Sequence, residues 1–355
     1  MNNAIYKKHD CMPTELLTLF PSGSAVGALP NWQSPRLLFA AGTMRERWRS
    51  SALYPAFRQR AKILRGLQRT RAALKLISIK NADTSLWEIG EFVSEMLPQA
   101  RTMVILKGSP GPAQKMTVQL LDRNGATTGF LKIATTAAAQ NNLRNEHAVL
   151  MALPPRLGPR PLKFGSLSCG LVLLLSPVVG KPLAATLSPP SGVTHLLGRL
   201  TIGSQVSLEN HPWISALQIR SDSSIASMLA PLARKQWPIA IQHGDFAPWN
   251  LLCDDTGGVT AIDWEYGTLA GFPFVDLANY HLQICGLVYR WRPLKSFERV
   301  QHLLSTTLAQ FLSDREVTAI IRLAALDAYL KNQTDGHPES QTMQQWRKTI
   351  WERNT

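Results

Sequence analysis

Short apolar runs separated by turn residues between residues 103 and 175 predict β-strands. The predicted strands are Met103–Leu106, Met116–Leu121, Thr128–Ala134 and Gly170–Leu175. Asn124 and Gly125, which separate the second run from the third, are typical of a tight hairpin turn. A stretch rich in Ala, Leu and Asn from Ala137 to Leu153 predicts one helix before the last strand. These elements predict a small antiparallel sheet with one helix.

The pattern of apolar and turn residues changes before and after these predicted strands. After Pro177 the apolar positions have mostly helical spacing, except for a β-like region over residues 239–263. Residues 1–95 begin with a Pro- and Gly-rich half, which indicates loops and short elements. We therefore expect an α+β protein with three parts: an N-terminal extension (1–95), a sheet-containing lobe (96–176) and a helical lobe (177–355).

A strongly basic segment lies within the N-terminal extension. The chain carries a formal net charge of +14, and residues 45–80 hold eleven Lys and Arg but one acid. On a helix, Arg58, Lys62, Arg65 and Arg69 would share one face. The apolar residues that would lie on the opposite face are Ile63, Leu67, Leu74 and Ile77. The segment therefore predicts a basic amphipathic helix.

Three interpretations of this helix are open. The favoured one is a solvated basic face whose apolar side packs on the rest of the protein. The second is attachment to an anionic membrane surface or an acidic partner through residues 45–80. Nucleic acid is the least favoured partner, because no aromatic residues are interleaved with the charge in a recognised binding motif.

The composition excludes several classes of protein. Hydrophobic residues make up 45% of the chain, which argues against global disorder. The four Cys are far apart and without metal-ligand spacing, so a disulfide scaffold and a zinc ribbon are not expected. The first twenty residues lack an apolar secretion signal, and the longest apolar run is far shorter than the ~20 residues that span a bilayer. We expect a cytoplasmic protein, with peripheral attachment at the inner membrane surface as the alternative.

The candidate chemistry lies in His243-Gly-Asp-Phe-Ala-Pro-Trp-Asn250 and the following Ala261-Ile-Asp-Trp-Glu265. A loop with a carboxylate and an amide, followed by a hairpin that returns a second carboxylate, suits divalent-metal and phosphate chemistry. Mg²⁺ prefers oxygen ligands and takes one or two carboxylates from the protein. Asn250 and Asp263 would provide these ligands, which leaves Asp245 to orient an acceptor hydroxyl.

The quoted segment resembles the catalytic loop and metal-binding strand of the aminoglycoside phosphotransferase and choline kinase family, relatives of the protein kinases. The resemblance covers about residues 100–330. It implies a bilobal protein-kinase-like fold, a phosphotransferase with an alcohol group as acceptor, Mg²⁺ and ATP or GTP. Asp245 would be the catalytic residue, and Asn250 and Asp263 the metal ligands.

The resemblance also implies nucleotide-binding residues upstream. Lys132 on the third strand would contact the phosphates and would be held by Glu146 on the following helix. The loop 107–112 departs from the family pattern because two of its residues are prolines, which lack an N–H. Backbone contacts to phosphate would come from Ser109 and Gly111, and contacts to the base from the linker around Ser176 and Val178.

Two further residues would support the loop. Asp276, in Gly271-Phe-Pro-Phe-Val-Asp-Leu-Ala278, would brace the catalytic loop without acting chemically. A histidine side chain has an unperturbed pKa near 6.5, so the residue type at His243 is compatible with a catalytic base. The resemblance instead makes His243 a loop-bracing residue.

The charge of the predicted helical lobe limits the chemical class of the acceptor. Residues 181–240 contain two acids and five bases, and residues 277–355 contain seven acids and ten bases. This balance argues against a polycationic aminoglycoside and favours a neutral or anionic small molecule, such as a sugar, a glycan intermediate or an amino alcohol. The alternatives are a catalytically weak nucleotide-binding scaffold and an electrostatic adaptor that acts through the basic N-terminal segment.

Overall fold

An eight-stranded antiparallel sheet is the framework of the first of two units into which the chain divides. The structure is a computed structural model that describes residues 15–53, 59–83, 87–201, 203–221 and 225–353. Unit 1 comprises Met1–Ser109, Gln114–Thr135 and Leu162–Pro177. Unit 2 comprises Pro110–Ala113, Thr136–Pro161 and Val178–Thr355.

The strands of the large sheet follow the order β3-β1-β2-β4-β5-β6-β8-β7. Their bounds in chain order are Ala25–Leu29 (β1), Leu37–Ala40 (β2), Ile79–Asn81 (β3), Thr102–Lys107 (β4), Lys115–Leu121 (β5), Thr127–Ala134 (β6), Pro161–Leu167 (β7) and Gly170–Leu175 (β8). The expected α+β class with an antiparallel sheet is therefore confirmed, and β4, β5, β6 and β8 match the four predicted strands.

The hairpin between β5 and β6 forms at the predicted turn. Asp122 Oδ1 accepts hydrogen bonds from the backbone N–H groups of Asn124 and Ala126, both at 2.8 Å. Gly125 has a φ of +76°, a left-handed conformation that glycine adopts without steric cost. The turn sets the register in which Val118 lies opposite Leu131 and Met116 opposite Ile133.

Residues from the N-terminal segment are part of this sheet, which differs from the expected separate extension over residues 1–95. Strands β1, β2 and β3 pair with one another, and β2 pairs with β4. Val26 and Leu38 are fully buried in the same core as Met103 and Ile105 on β4. The short strands carry enough apolar surface to continue the sheet beyond β4, although Pro and Gly surround them.

Among its described residues, unit 1 also contains three α-helices, and one of them is oriented opposite to expectation. They are Met44–Ser50 (α1), Gln59–Ala73 (α2) and Glu88–Ser94 (α3). Helix α2 buries Gln68, Ala72 and Ala73, whereas Ile63 and Leu67 are exposed. The interpretation in which the apolar side of this helix packs on the protein is therefore wrong for Ile63 and Leu67, because small residues and an amide fill that interface. Arg58 lies outside the described residues.

Unit 2 is mainly helical, as expected for the second lobe. Its helices are Ala137–Ala152 (α4), Ser191–Leu200 (α5), Pro212–Arg220 (α6), Ala226–Leu229 (α7), Val275–Gln283 (α8), Pro293–Thr307 (α9), Asp314–Thr334 (α10) and Thr342–Trp351 (α11). Short strands form three small sheets, and their bounds are Lys181–Pro182 (β9), Gln205–Ser207 (β10), Gln236–Pro238 (β11), Ala240–Gln242 (β12), Leu251–Cys253 (β13), Val259–Ala261 (β14) and Thr268–Gly271 (β15). The predicted β-like region over 239–263 thus contains β12, β13 and β14.

Helix α10 forms the centre of the core of unit 2. Fifteen of its residues are buried, and its first turn is fixed by a capping box between Ser313 and Glu316. Helices α8, α9 and α11 pack on it.

Helix α4, the predicted helix of the sheet-containing lobe, also belongs to unit 2. Within the described ranges, the structure has no helix that is both long and apolar enough to cross a membrane.

Candidate active site

The loop from His243 to Asn250 connects β12 to β13, and the side chain of Asp276 binds its first two backbone N–H groups. Asp276 Oδ2 accepts a hydrogen bond from the backbone N–H of His243 at 2.6 Å, and Oδ1 accepts one from Gly244 at 3.0 Å. Burial raises the pKa of Asp276 to about 6, although the two backbone hydrogen bonds act in the opposite direction. The start of α8 thereby fixes the backbone immediately before Asp245.

Gly244 occupies a position that only glycine fits. Its φ is +81°, and a Cβ atom at this position would collide with the carbonyl oxygen of Tyr266. The ammonium group of Lys331 also lies within contact distance of that Cβ position. The backbone can therefore turn sharply between His243 and Asp245.

The imidazole ring of His243 is buried and joins the loop to the hairpin β13–β14. The backbone N–H of Asp245 donates to Nδ1 at 3.3 Å, so Nδ1 is an acceptor. Nε2 must then carry the proton, and it donates to the carbonyl oxygen of Ile262 at 2.8 Å. With both ring nitrogens bonded to backbone groups, this geometry fits the loop-bracing interpretation of His243 better than a catalytic base.

Two side-chain amides orient the carboxylate of Asp245. Asn250 Nδ2 donates to Asp245 Oδ2 at 3.0 Å and to the Asp245 carbonyl oxygen at 2.9 Å. Gln283 Nε2 donates to Asp245 Oδ1 at 2.8 Å. Each carboxylate oxygen can accept further hydrogen bonds, because an ionised carboxylate has about four lone-pair sites. Asp245 is half-buried, so its carboxylate is fixed in direction but not enclosed.

Gln283 is a site residue that the sequence analysis did not identify. It is the last residue of α8, and its Oε1 is buried without a hydrogen-bond partner among the residues that the structure describes. Leaving an amide oxygen unpaired costs free energy, so the orientation of the amide toward Asp245 is maintained against this cost. No motif distinguishes this glutamine in the sequence.

The residue before Asp263 is hydrogen-bonded to Asn250 through the backbone. The N–H of Ile262, the residue before Asp263, donates to the carbonyl oxygen of Asn250 at 2.8 Å. Asp263 itself has a φ of +70°, a left-handed conformation that is uncommon for a residue with a side chain and occurs at functional sites. The Nδ2 atom of Asn250 faces Asp245, which leaves its Oδ1 as the atom that can bind a cation.

Helix α4 fixes the segment that follows Asp263. Glu146 is fully buried, and its Oε1 accepts a hydrogen bond from the backbone N–H of Trp264 at 3.1 Å. Asn145 Nδ2 donates to the carbonyl oxygens of Glu265 and Gly267, at 2.9 and 3.0 Å. Glu146, predicted as a partner of Lys132, thus also has a role in holding the backbone next to Asp263.

A buried ion network supports the loop from α10. Asp327 pairs with Lys331 at 2.7 Å and with Arg220 at 2.8 Å. Burial alone would raise the pKa of Asp327, but these two cations together hold it below its usual value. Gln242 Nε2 donates to Asp327 Oδ2 at 3.3 Å, which connects the network to the residue before His243.

The side of the loop near Tyr266 contains an arginine from α11. Desolvation lowers the pKa of Arg347, whereas the nearby Asp245 and Tyr266 raise it. Its Nη1 donates to Gln344 Oε1 at 3.1 Å. The hydroxyl of Tyr266 donates to Asp335, and burial raises the pKa of this phenol.

Packing of α11 explains how an arginine so far along the chain reaches the loop. A π-helical segment, Ile284–Val288, directly follows Gln283. A Cβ atom on Gly286 would lie 3.3 Å from side-chain atoms of Met343 and Trp346, so α11 packs on this segment. Arg347 is one helical turn beyond Met343 on the same face. Its position is set by tertiary packing.

The remaining predicted residues are divided between the two units. Lys132 is buried on β6 and Ser176 follows β8, both in unit 1, whereas Val178 is in unit 2. Ser109 and Gly111 are exposed in the loop after β4, and the unit boundary falls between them. The predicted pairing of Lys132 with Glu146 involves both units and stays a prediction.

The donor set fits a magnesium ion that is completed by a nucleotide. Within the described part of the chain, no group of three or more His, Cys, Asp or Glu could hold a metal by itself. Asp263 and Oδ1 of Asn250 offer two hard oxygen atoms. Mg²⁺ commonly takes this number from a protein and receives its other ligands from phosphates and water.

One family model matches the chain across this site. Residues 198–290 match the model of the phosphotransferase enzyme family, and they include His243, Asp245, Asn250, Asp263 and Asp276. The resemblance to this family is confirmed over these residues, as is the predicted enzyme class, a phosphotransferase acting on a hydroxyl group. No curated protein matches the chain significantly.

Several solved structures are similar to the chain at low identity. An ethanolamine kinase from Plasmodium vivax is 11% identical over 70% of this chain and 81% of its own, with a TM-score of 0.46. A macrolide 2'-phosphotransferase from Brachybacterium faecium is 13% identical over 70% and 90%, with a TM-score of 0.40. An aminoglycoside phosphotransferase from Streptomyces rimosus is 16% identical over 68% and 98%, with a TM-score of 0.35. TM-scores below 0.5 support no conclusion about substrate.

Proposed function

We propose that this phosphotransferase moves the γ-phosphoryl group of ATP or GTP to a hydroxyl group of a neutral or anionic small molecule. A sugar and a glycan intermediate are acceptors of this kind, whereas an amino alcohol carries a single positive charge at neutral pH and is the less favoured candidate. The observation that carries the proposal is the carboxylate of Asp245, which two amides hold in one orientation beside Asn250. In the reaction the bond from the γ-phosphorus to the bridging oxygen breaks, the acceptor oxygen bonds to phosphorus, and the nucleoside diphosphate leaves.

Asn250 and Asp263 are the residues that would hold Mg²⁺. When bound, this ion would neutralise charge on the phosphate oxygens. Lys132 is assigned to the phosphates as a further cation, with Glu146 as its predicted partner. Ser109 and Gly111 are assigned to backbone contacts with phosphate, and Ser176 and Val178 to contacts with the base.

Asp245 accepts a hydrogen bond from the acceptor hydroxyl and takes its proton late in the transfer. Gln283 and Asn250 contribute by keeping the carboxylate in position, since catalysis of phosphoryl transfer is mainly positioning and electrostatics. Asp276 and His243 hold the backbone of the loop. The proton passes from Asp245 to solvent after the product leaves.

Arg347 supports an acceptor that carries a negative charge or several hydroxyl groups. The guanidinium of Arg347 interacts electrostatically with Asp245, and its Nη1 donates a hydrogen bond to Gln344 Oε1. A guanidinium has five N–H donors in all. Such a group repels a polycationic acceptor and binds carboxylate, phosphate or sugar hydroxyls. This agrees with the excess of bases over acids in residues 277–355.

An untargeted labelling experiment tests the proposal. The protein is incubated with Mg²⁺, γ-labelled ATP or GTP and the small-molecule fraction of a cell extract, and the labelled product is identified by mass spectrometry. We expect a single labelled product, the phosphate ester of a neutral or anionic acceptor. Efficient labelling of an aminoglycoside would contradict the acceptor class, and the absence of any labelled product would favour the scaffold or adaptor alternatives.

A further inference from the structure

Helix α2 turns an apolar stripe toward solvent. The exposed fractions of Ile63, Leu67 and Leu74 are 67%, 60% and 57%, and these residues follow one another at steps of four and seven. Leu74 directly follows the end of α2 and continues its hydrogen-bond pattern, because its backbone N–H donates to the carbonyl oxygen of Thr70 at 3.0 Å. At 100° per residue, the three side chains therefore lie on one narrow face of the helix. Leu64 on α2, with an exposed fraction of 48%, extends the stripe at one margin. Large aliphatic side chains in contact with water at this density mark an interaction surface.

The orientation of α2 is fixed by its opposite face, so the stripe cannot rotate inward. Arg47 on α1 is buried, and its guanidinium donates to the carbonyl oxygens of Ala72 and Ala73 at 2.9 and 2.7 Å. The guanidinium of Arg69 lies 4.1 Å from the ring centre of Trp48 and donates to the Trp48 carbonyl oxygen at 3.0 Å. In the structure the apolar stripe therefore faces away from the contact between α1 and α2.

Exposed cations border the stripe. Arg60 and Arg71 lie along one side of the helix, Lys62 lies along the other, and Lys75 follows its end; all four are exposed. Helix α2 contains no Asp or Glu, and residues 45–80 carry one acid among eleven bases. The surface thus combines outward aliphatic side chains with a rim of positive charge.

We propose that α2 docks on an anionic phospholipid surface, with Ile63, Leu67 and Leu74 inserted at the headgroup boundary and the surrounding Arg and Lys side chains on lipid phosphates. A basic rim around a shallow aliphatic stripe is the pattern of helices that lie in the membrane interface. A second copy of the same surface would be repelled by its own charge. Nucleic acid offers phosphates but no partner for the aliphatic stripe.

Docking through α2 is independent of phosphotransfer chemistry, because α2 lies in unit 1 and the loop of Asp245 lies in unit 2. It would place the enzyme at a membrane surface, where lipid-linked hydroxyl compounds are available as acceptors. Failure of docking would leave the proposed activity untouched, and loss of activity would leave docking untouched.

Co-sedimentation of the full chain with vesicles tests this surface. We expect binding to vesicles in which a third of the phosphatidylcholine is replaced by phosphatidylglycerol, and at least about tenfold weaker binding to pure phosphatidylcholine. The double variant Ile63→Ser/Leu67→Ser should bind anionic vesicles at least about tenfold more weakly, since it removes the inserted aliphatic surface. Ile219→Ser, at another exposed apolar position on α6, is the matched control and should bind like the original chain.

Charge substitutions and an acidic polymer separate the alternatives. Arg60→Gln/Arg71→Gln should weaken binding to anionic vesicles and reduce its dependence on salt. Equal binding to both kinds of vesicle, or unchanged binding by the Ile63→Ser/Leu67→Ser variant, would overturn the proposal. Binding to polyglutamate without binding to vesicles would also overturn it and would identify the basic residues as a site for an acidic partner.

Discussion

The side-chain amide of Gln283 donates a hydrogen bond to Asp245 Oδ1 at 2.8 Å, across 38 residues of sequence. A hydrogen bond to a charged group contributes about 1.5–3 kcal/mol and here also sets the direction of a carboxylate. The end of α8 therefore determines where Asp245 points. The loop motif provides the catalytic side chain, and α8 sets part of its orientation.

Replacing Gln283 should lower the rate of transfer without preventing nucleotide binding. We expect Gln283→Leu to reduce kcat roughly tenfold to a hundredfold, because the carboxylate of Asp245 loses one of its two amide contacts. Steady-state kinetics and nucleotide titration measure the two effects. Gln301→Leu, which removes an amide bonded to Thr318 Oγ1 elsewhere in unit 2, is the control and should retain kcat. Unchanged kcat in Gln283→Leu would show that the amide of Gln283 does not position Asp245.

Alanine substitutions at two glycines with similar backbone conformation distinguish the cost of backbone strain from the cost of a steric collision. Gly244 and Gly257 have φ values of +81° and +85°, but open space surrounds Gly257, whereas backbone of Tyr266 lies against Gly244. We expect Gly257→Ala to cost about 1 kcal/mol of unfolding free energy, from the left-handed conformation alone. Gly244→Ala should cost clearly more and abolish transfer, because the loop must move. Equal losses in urea unfolding would mean that the loop accommodates a side chain at position 244.

Arg347 should affect acceptor binding more than turnover. We expect Arg347→Gln to raise the KM for the acceptor about tenfold or more, with a smaller change in kcat, since a charge-assisted hydrogen bond is lost in both ground and transition states. Arg315→Gln, at an exposed position on α10, is the control. A KM that stays constant in Arg347→Gln would remove this residue from acceptor recognition.

The buried His281 predicts a loss of stability in mild acid. Burial lowers the pKa of His281 to about 4, whereas an unfolded histidine titrates near 6.5. The unfolded chain binds more protons between these values, so the stability is complete above pH 6.5 and is lost as the pH falls toward 4. From pH 7.5 to pH 5 this residue should account for about 2 kcal/mol of lost unfolding free energy.

Urea unfolding of His281→Gln at the two pH values measures this contribution. The variant should lose about 2 kcal/mol less than the original chain over the same interval. Asp276, whose pKa is raised to about 6, changes stability in the opposite direction, but it is present in both proteins and cancels in the comparison. His302→Gln, at an exposed position on α9, is the control and should behave like the original chain. An identical pH dependence in His281→Gln would mean that His281 is protonated in the folded state.

The sequence predicted those parts of the site that are local in the chain. Asp245 and Asn250 are five residues apart, and one turn of the backbone brings them together, so a motif can represent their geometry. Gln283 and Arg347 reach the same loop through the packing of α8 and α11 on α10. Their residue types are common on helix surfaces, and no spacing rule connects them to Asp245.

The fold was predictable where strands have a clear apolar run and a turn signal. Strands β5 and β6 have both, whereas β1 and β2 are four or five residues long and lie among Pro and Gly. For helix α2 the apolar periodicity was clear, but it predicted the wrong buried face. The residues that are buried are Gln68, Ala72 and Ala73. Hydrophobic periodicity indicates the protein-facing side only when the surrounding structure offers apolar surface in return.

The most direct measurement of the central claim is transfer of label from γ-labelled ATP or GTP by Asp245→Ala, compared with Asp255→Ala in the exposed turn between β13 and β14. We expect Asp255→Ala to transfer label at the original rate. Asp245→Ala should form no labelled product while it binds Mg²⁺–nucleotide with nearly unchanged affinity. Undiminished transfer by Asp245→Ala would contradict the assignment of this carboxylate as the group that receives the acceptor proton.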